Sequence, residues 1–365
     1  MKLLITTGIF PPDIGGPATF VPLLAQEACE RYYEVTVVTL GMESGQYQNG
    51  SYKVISISRA LPKIVRILKT VQIISSEAKT SNAIFSNGLY LETSVVLRLR
   101  KRASVAKIVG DPIWERARNQ GRTKLNLEKF QISDWSLRDK FTNWLFRQSW
   151  KSFDRLTCPS HALVKMVRER IDEEGVSYIP NGVDLPLVSE KQNPNHLITV
   201  SRLVSWKNIE HVIQAAGTLR VHLTIVGDGP EKTSLELHAQ QMNAQVHFTG
   251  NLSPEEVRKH LKESKYFLQM SDYEGLSFSL LEAMSMGLVP IVSGNDGNRQ
   301  VVEHGVNGMI IAIDGPSITQ AIQAIEQSGT MYEQLSKKAI QRVKTDFNGK
   351  ENRLRILDLL EISKP

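Results

Sequence analysis

The sequence has 365 residues, of which 41% are hydrophobic and 22% charged. This balance is typical of a compact soluble protein with room for two domains, and it excludes disordered and fibrous classes. The two cysteines, Cys29 and Cys158, are far apart in sequence, so we expect neither a disulfide framework nor a cysteine-based zinc site. The net charge of +6 is uneven, because residues 1–180 carry 26 Lys and Arg against 17 Asp and Glu, whereas residues 181–365 carry 18 against 21.

Short β-branched runs alternate with helix-length segments along the whole chain, which is the pattern of parallel α/β sheets. The first set of predicted strands is 2–6, 35–39, 54–57, 83–85 and 106–109, and the second is 197–200, 223–226, 246–248, 266–269, 289–292 and 308–311. The pattern predicts two doubly wound α/β domains.

Turn-forming and polar residues separate the two sets of strands. The segments 179–184 and 189–195 carry turn chemistry and few apolar side chains, which predicts a linker at about 180–195. We therefore expect an N-terminal domain over 1–180 and a C-terminal domain over 181–348. Apolar residues at helical spacing predict a last helix over about 351–362.

Ligands of open α/β sheets bind where strands lead into helix N-termini, so the strand-to-helix turns are candidate sites. Gly15 and Gly16 follow the first predicted strand, and adjacent glycines let the backbone approach a phosphate or a sugar closely. An ordinary tight turn is the alternative.

A second turn contains Gly227, Asp228 and Gly229 and lies between a strand and a helix. It is a setting for a nucleotide but not a dinucleotide-binding fingerprint, because Lys232 stands where a third glycine is required. A tight turn stabilised by Asp228 is the alternative here.

Two cations, Arg202 and Lys207, follow the first strand of the second domain. A planar guanidinium and a mobile ammonium together suit the binding of a diphosphate. The residue types alone are equally compatible with two ordinary surface charges.

The segment 271–290 combines a strand end, a loop with glycine, a capping serine and a helix. Backbone N–H groups near Gly275, Leu276 and Ser277 are candidates for holding a phosphate. Glu274 precedes the helix and Glu282 lies within it, so these carboxylates can accept hydrogen bonds from different parts of one ligand.

In this order and spacing, these features resemble the retaining glycosyltransferases of family 4. The resemblance covers nearly the whole chain and is strongest in the second half. It implies the GT-B architecture, with two Rossmann-like domains facing across a cleft and a final helix at about 349–365 that crosses back to the N-terminal domain.

The resemblance also implies roles for the singled-out residues. Arg202 and Lys207 would hold the donor diphosphate, Glu282 the ribose and Glu274 the donor sugar near the reacting carbon, with backbone contacts from 275–277. Many family members have a histidine where this chain has Asp111. Three roles stay open for Asp111: orienting the acceptor hydroxyl, contacting the sugar, and capping a turn.

No Asp-x-Asp motif occurs in the sequence, so the usual carboxylate site for Mn²⁺ or Mg²⁺ on a sugar nucleotide is missing. We expect no metal and no cofactor, with the nucleotide diphosphate sugar as donor substrate. Cations and a helix N-terminus would then stabilise the departing diphosphate.

The basic N-terminal half predicts an anionic partner, with a solvated basic face as the alternative. Residues 61–71 read as a basic amphipathic helix of the kind that lies on anionic lipid. Trp135, Trp144 and Trp150 are predicted to share one helical segment, facing either the core or lipid. Nucleic acid is disfavoured because no binding signature accompanies the charge.

The expected function is that of a retaining, metal-independent hexosyltransferase that acts on a saccharide or lipid-linked saccharide in glycan or cell-envelope polysaccharide synthesis. The expected location is the cytoplasm, with contact to the inner face of the membrane. The alternatives are a nucleotide-sugar epimerase, a glycan phosphorylase, and a non-catalytic binder of sugar nucleotides.

Overall fold

The computed structural model describes residues 1–172, 174–184 and 196–362. The chain forms two compact units: an N-terminal unit of Met1–Pro180 with Glu351–Pro365, and a C-terminal unit of Asn181–Lys350. Most of the predicted linker, together with residues 363–365 of the predicted last helix, lies outside the described residues.

The N-terminal unit is built on an eight-stranded sheet in the order β3-β4-β2-β1-β5-β6-β7-β8. Its strands are β1 (Lys2–Thr7), β2 (Glu34–Gly41), β3 (Gly45–Asn49), β4 (Tyr52–Ser58), β5 (Ala83–Asn87), β6 (Ala103–Lys107), β7 (Arg155–Cys158) and β8 (Val176–Tyr178). All neighbours pair in parallel except β3 with β4. The central strand β1 is aliphatic and buried because helices cover both faces of such a sheet.

Eight helices belong to the described part of this unit. They are α1 (Gly16–Glu30), α2 (Lys63–Glu77), α3 (Tyr90–Leu99), α4 (Pro112–Asn119), α5 (Leu127–Gln131), α6 (Leu137–Trp150), α7 (His161–Ile171) and α15 (Gly349–Ile362). Helix α3 packs against both α2 and α6, so these three helices lie side by side in the order α2-α3-α6.

Helix α15 is tied to α1 by charged contacts. Arg353 donates to Glu27 Oε1 at 2.7 Å, and both side chains are buried. At the surface, Arg31 and Asp358 form a second ion pair at 2.7 Å. A buried pair of this kind fixes the register between two helices because neither charge can be left without its partner.

The C-terminal unit has a six-stranded parallel sheet in the order β11-β10-β9-β12-β13-β14. Its strands are β9 (His196–Val200), β10 (His222–Val226), β11 (Val246–Gly250), β12 (Tyr266–Gln269), β13 (Val289–Ser293) and β14 (Met309–Ile311). Its helices are α8 (Ile209–Leu219), α9 (Lys232–Gln241), α10 (Pro254–Lys262), α11 (Phe278–Ser285), α12 (Asp296–Val301), α13 (Gly315–Gln327) and α14 (Met331–Asp346). A short 3₁₀ turn, Ser205–Lys207, precedes α8.

The chain winds outward in two directions from the pair β9 and β12. From β9 it goes to β10 and β11 on one side, and from β12 to β13 and β14 on the other. Such a switch point opens a crevice at the carboxyl ends of the two central strands, where ligands of these sheets bind.

The prediction of two doubly wound α/β units is confirmed, with three strands missed. These strands are short or polar: β3, which is exposed at every position, together with β7 and β8. One prediction is wrong: Trp135 lies before α6, because α6 begins after Ser136, whose side chain caps it by accepting from Asp139 N. Within α6, Trp150 is buried and Trp144 is exposed.

Candidate active site

The candidate residues of the C-terminal unit lie mostly on loops at the carboxyl ends of its strands. Arg202 and Lys207 follow β9, Gly227–Gly229 follow β10, and Glu274–Ser277 follow β12. The loops after β9 and β12 flank the switch point. The structure therefore brings the sequence-predicted cations and the first carboxylate to one edge of one sheet.

Lys207 and Glu274 are in direct contact. The Lys207 ammonium donates to Glu274 Oε1, and both side chains are largely buried. The hydroxyl of Ser271 donates to the same oxygen at 2.6 Å. One oxygen of the carboxylate is therefore held in place by an opposite charge and a neutral donor.

The loops after β9 and β12 are also joined by hydrogen bonds of the Asn208 side chain and of the backbone. Asn208 Nδ2 donates to the carbonyl oxygen of Met270 at 2.8 Å and to Asp272 Oδ1 at 2.9 Å. In return, the amide N of Asp272 donates to the carbonyl oxygen of Trp206 at 2.8 Å. The position of Lys207 relative to Glu274 is thus fixed by the loops and not only by the ion pair.

The packing of two loops explains why glycines follow β10, without reference to any ligand. Gly227 has a φ of +128°, and a Cβ added there would lie 2.0 Å from the carbonyl oxygen of Ser201. A Cβ at Gly229 would lie 2.2 Å from the carbonyl oxygen of Leu203. Backbone hydrogen bonds link the same two loops, including Leu203 N to the carbonyl oxygen of Asp228 at 3.0 Å. The turn is therefore glycine-rich because two backbones touch.

The segment Gly275–Ser277 leads directly into α11. Ser277 caps this helix by accepting from the amide N of Leu280 at 3.3 Å. Leu276 is buried, and its carbonyl oxygen accepts from Asn181 Nδ2 at 2.8 Å. Asn181 thus anchors the loop from behind, a role that sequence reasoning did not give it.

Glu282 lies on α11 between Leu281 and Ala283, which are both fully buried. Burial raises the pKa of the Glu282 carboxyl, and the positive charge of Arg258 only partly opposes this effect. A buried carboxylate is costly unless hydrogen-bond donors surround it. Its environment suits a ligand that brings hydroxyl groups.

A buried polar network behind Glu274 was missed by sequence reasoning. The carbonyl oxygen of Ser271 accepts from Ser293 Oγ at 2.6 Å and from Asn295 Nδ2 at 2.9 Å. The backbone at Gly297 packs so closely on Glu274 that an added Cβ would lie 2.2 Å from the Glu274 carbonyl oxygen. The sequence signal was the polar run after β13, where Ser293, Gly294 and Asn295 lead into a helix.

In the N-terminal unit, Gly15 precedes α1 and Gly16 is its first residue. The loop between β1 and α1 is held by Arg59, which pairs with Asp13 and donates to the carbonyl oxygen of Gly8 at 3.0 Å. The guanidinium of Arg59 lowers the pKa of the Asp13 carboxyl. Sequence reasoning singled out neither Arg59 nor Asp13, because they are 46 residues apart.

Asp111 is completely buried and fully engaged. It caps α4 by accepting from the amide N atoms of Ile113 and Trp114, at 2.9 and 3.2 Å. Arg170 forms a bidentate ion pair with it, and Gln131 donates to its second oxygen at 2.5 Å. Of the three roles left open by the sequence, this geometry favours capping over contact with a sugar or an acceptor.

Among residues 1–172, 174–184 and 196–362, no group of three or more His, Cys, Asp and Glu side chains is arranged to hold a metal ion. None of the helices in the same residues is both long and apolar enough to cross a bilayer.

Curated relatives of the chain are glycosyltransferases that match it in part. An uncharacterized glycosyltransferase of Methanocaldococcus jannaschii is 29% identical over 181 residues, covering 47% of this chain and 46% of the relative. The amylovoran biosynthesis glycosyltransferase AmsK of Erwinia amylovora is 26% identical over 204 residues, covering 52% of this chain and 50% of that protein. The chain spans about half the length of the first curated relatives it matches, between 42% and 50%.

Solved structures match over nearly the entire chain. Sucrose-phosphate synthase of Thermosynechococcus elongatus superposes with a TM-score of 0.82 at 18% identity, covering 99% of this chain and 98% of that one. HepE of Anabaena in complex with UDP and glucose gives a TM-score of 0.79 at 16% identity, covering 99% and 100%. These likenesses confirm the GT-B fold.

Two family models match consecutive parts of the sequence. The model for glycosyltransferase family 4 matches residues 14–186, and the model for group 1 glycosyl transferases matches residues 187–342. Together they cover residues 14–342, which include every candidate site residue predicted from the sequence and all strands except β1. The chain therefore belongs to glycosyltransferase family 4.

Proposed function

We propose that this protein is a retaining, metal-independent hexosyltransferase that moves a sugar from a nucleotide diphosphate donor to a hydroxyl group of its acceptor. The observation that carries the proposal is the contact between Lys207 and Glu274 at the switch point of the C-terminal sheet. Membership of family 4 and the fold shared with a protein solved with UDP and glucose support it.

The donor is bound through its charges and its hydroxyl groups. Arg202, which is exposed, and Lys207 bind the diphosphate, together with backbone N–H groups of 275–277. Glu282 accepts from the ribose hydroxyls, which bring hydrogen-bond donors to its half-buried carboxylate. Glu274 accepts from hydroxyl groups of the donor sugar.

Donor binding gives the Lys207 ammonium a second anionic neighbour beside Glu274. Without ligand, the Lys207 ammonium compensates the Glu274 carboxylate; with ligand, it also faces the diphosphate. Negative charge grows on the diphosphate as the glycosidic bond breaks, and cations held close to it stabilise that transition state. In this proposal Arg202 and Lys207 take the place of a divalent ion, and no Asp-x-Asp motif is present in the sequence to bind one.

Retention has two chemical routes. In one, the acceptor hydroxyl attacks the face that the diphosphate leaves, and a phosphate oxygen takes its proton. In the other, Glu274 forms a covalent glycosyl intermediate that the acceptor then displaces. The two donors to Glu274 Oε1 stabilise the carboxylate and so reduce its nucleophilicity, which favours the first route.

The acceptor is proposed to be a saccharide or a lipid-linked saccharide, as in glycan or cell-envelope polysaccharide synthesis on the cytoplasmic side of a membrane. Several curated relatives are named for lipid acceptors, among them the α-monoglucosyldiacylglycerol synthase of Streptococcus pneumoniae. These names belong to the relatives and supply only the class of acceptor to be tried.

The test is a thermal-shift and donor-hydrolysis screen against UDP-, GDP-, ADP- and dTDP-sugars, with and without EDTA. One donor should stabilise the protein in EDTA and be hydrolysed slowly. Lys207→Met should remove the stabilisation, and Glu274→Gln should remove turnover with folding intact. The control is Lys259→Met, which alters an exposed lysine on α10 and should change neither.

Each alternative gives a different result in the same screen. An epimerase consumes donor in the absence of acceptor, a phosphorylase requires inorganic phosphate, and a non-catalytic binder neither transfers nor hydrolyses. A requirement for a divalent ion at the sugar diphosphate would refute the metal-independent chemistry proposed here.

A further inference from the structure

Exposed apolar side chains are concentrated on the N-terminal unit. Eighteen large apolar residues are exposed in the described part of the chain, and sixteen of them belong to this unit. Nine of the sixteen lie on the adjacent helices α2, α3 and α6. Such concentration on one layer is unusual for a surface that meets only water.

Helix α6 carries the largest of these side chains in one stripe. Leu137, Phe141 and Trp144 are 85%, 60% and 53% exposed, and their spacing places them on one face of the helix. The rings of Phe141 and Trp144 stack with centroids 5.9 Å apart. Helix α2 adds Ile64, Val65, Ile67 and Leu68 in its first two turns, and α3 adds Val95 and Leu99.

The charged residues of the same helices are mostly cationic. Helices α2, α3 and α6 contain seven Lys and Arg against three Asp and Glu. Two of the three acids are paired with cations from outside these helices, Glu77 with Lys53 and Asp139 with Arg122. The layer therefore combines exposed aromatic and aliphatic side chains with excess positive charge.

We propose that the layer α2-α3-α6 docks on an anionic lipid surface, with Leu137, Phe141 and Trp144 as its main apolar anchor. Aromatic side chains favour the depth of the lipid headgroups, and each nearby Lys or Arg adds attraction to acidic lipids. The positive charge argues for this occupant over a second copy of the chain, because two copies of the same basic layer repel each other. This inference is independent of the donor chemistry proposed above.

The test is sedimentation of the full-length protein with vesicles of phosphatidylcholine alone or mixed with phosphatidylglycerol. The protein should bind the mixed vesicles, with a blue shift of its tryptophan fluorescence that the double variant described next lacks, and 1 M salt should weaken binding by screening. The double variant Phe141→Ser/Trp144→Ser should bind at least about tenfold more weakly because two exposed apolar anchors are lost. Leu237→Ser, a matched change at a 55% exposed residue of the C-terminal unit, should bind like the wild type.

Equal binding by the double variant and the wild type, or equal binding to neutral and anionic vesicles, would overturn the proposal. The proposal would also be overturned if the wild type bound no vesicles but formed a salt-resistant dimer in light scattering, and the double variant were monomeric. The layer would then be an interface between copies. Circular dichroism establishes that each variant is folded.

A second inference rests on the contacts of Ser271, which is fully buried. Its carbonyl oxygen is fixed by Ser293 and Asn295, and its hydroxyl donates to Glu274 Oε1. Asn295 is in turn fixed because its Oδ1 accepts from the amide N of Asn298 at 3.0 Å. A continuous set of hydrogen bonds thus runs from the loop after β13 to the Glu274 carboxylate.

We infer that Ser271 is a positioning residue for Glu274, an inference that rests on the function proposed for Glu274. Its hydroxyl selects the rotamer in which the carboxylate faces the donor sugar. The test is a double-mutant cycle on donor affinity, measured by calorimetry, with Ser271→Ala and Glu274→Gln. Ser271→Ala should weaken donor binding several-fold in the wild-type background and have no further effect in Glu274→Gln, and Ser271→Thr should restore most of the affinity.

The possible outcomes distinguish the proposed role of Glu274 from the positioning role of Ser271. If Glu274→Gln changes neither donor affinity nor turnover, the proposed role of Glu274 fails. If Glu274→Gln is impaired but Ser271→Ala costs the same in both backgrounds, Glu274 keeps its role and only the positioning role of Ser271 is refuted.

Discussion

Lys107 is a fully buried lysine whose surroundings disfavour its charged form. It lies at the end of β6, fully buried, with Nζ 3.4 Å from the carbonyl oxygen of Ile179 and 4.4 Å from the centre of the Phe20 ring. Burial lowers the pKa of Lys107 to about 7, and the positive charge of Arg353 adds to the effect. We predict that Lys107→Met stabilises the N-terminal unit at pH 7 and removes part of its pH dependence.

The size of the effect follows from proton linkage. Between pH 7 and the ordinary lysine value of 10.5, the unfolded chain holds a proton at Lys107 that the folded protein has lost. The unfolded state therefore binds more protons, and the free energy of unfolding rises with pH in this window. With a folded pKa of about 7, the penalty of Lys107 at pH 7 is about 4 kcal/mol, and about 2 kcal/mol of it is relieved by pH 9.

The measurement is urea unfolding at pH 7 and pH 9, followed by tryptophan fluorescence in a Trp206→Phe background. The other four tryptophans belong to the N-terminal unit, so the signal reports that unit alone. The stability advantage of Lys107→Met should shrink by about 2 kcal/mol from pH 7 to pH 9. Lys101→Met, at an exposed lysine, should show no such change. A difference between Lys107→Met and wild type that stays constant with pH would refute the reasoning.

Three further predictions concern the candidate site and its surroundings. Gly297→Ala forces a methyl group onto the Glu274 carbonyl, so it should lower the Tm and reduce turnover of the protein that still folds by about tenfold or more; normal kinetics would show that the loop accommodates the group. Because burial raises the pKa of Glu282, acidification from pH 7 to pH 5 should protonate its carboxylate and lower the donor affinity of the wild type. Calorimetry should find that Glu282→Gln binds donor more weakly and that its affinity depends less on pH. Asp111→Asn leaves the buried Arg170 without its counter-charge, so urea unfolding should show a loss of about 3–5 kcal/mol of stability. A loss of activity at unchanged stability would instead indicate that Asp111 is catalytic.

The sequence was sufficient for the architecture because its signals are local. Aliphatic β-branched runs and turn residues recur at each strand of the C-terminal sheet, and all six predicted strands are present there. Strand β3 was not predicted because its five residues are exposed and mostly polar, so they lack the alternation of hydrophobic residues that indicates a strand. The end of β12 and the start of α11 were predictable for the same reason, because Ser277 is a capping residue before an apolar helix.

The missed parts of the candidate site depend on contacts between distant segments. Asn181 reaches the carbonyl of Leu276 across 95 residues, and Asn295 reaches that of Ser271 across 24. No periodicity of a single segment encodes such a pairing. Asp111 was ambiguous for a related reason: whether a carboxylate at a strand end is catalytic or structural depends on Arg170, which is 59 residues away.

The attachment of α15 to α1 limits how this protein can be dissected. A fragment ending at Pro180 would lack helix α15 and leave Glu27 without its ion-pair partner Arg353, so it should misfold or aggregate when expressed alone. One cut in the polypeptide cannot release an intact N-terminal module. A circular permutant that starts near Glu351 and continues through a short linker into Met1 would carry every piece that module needs.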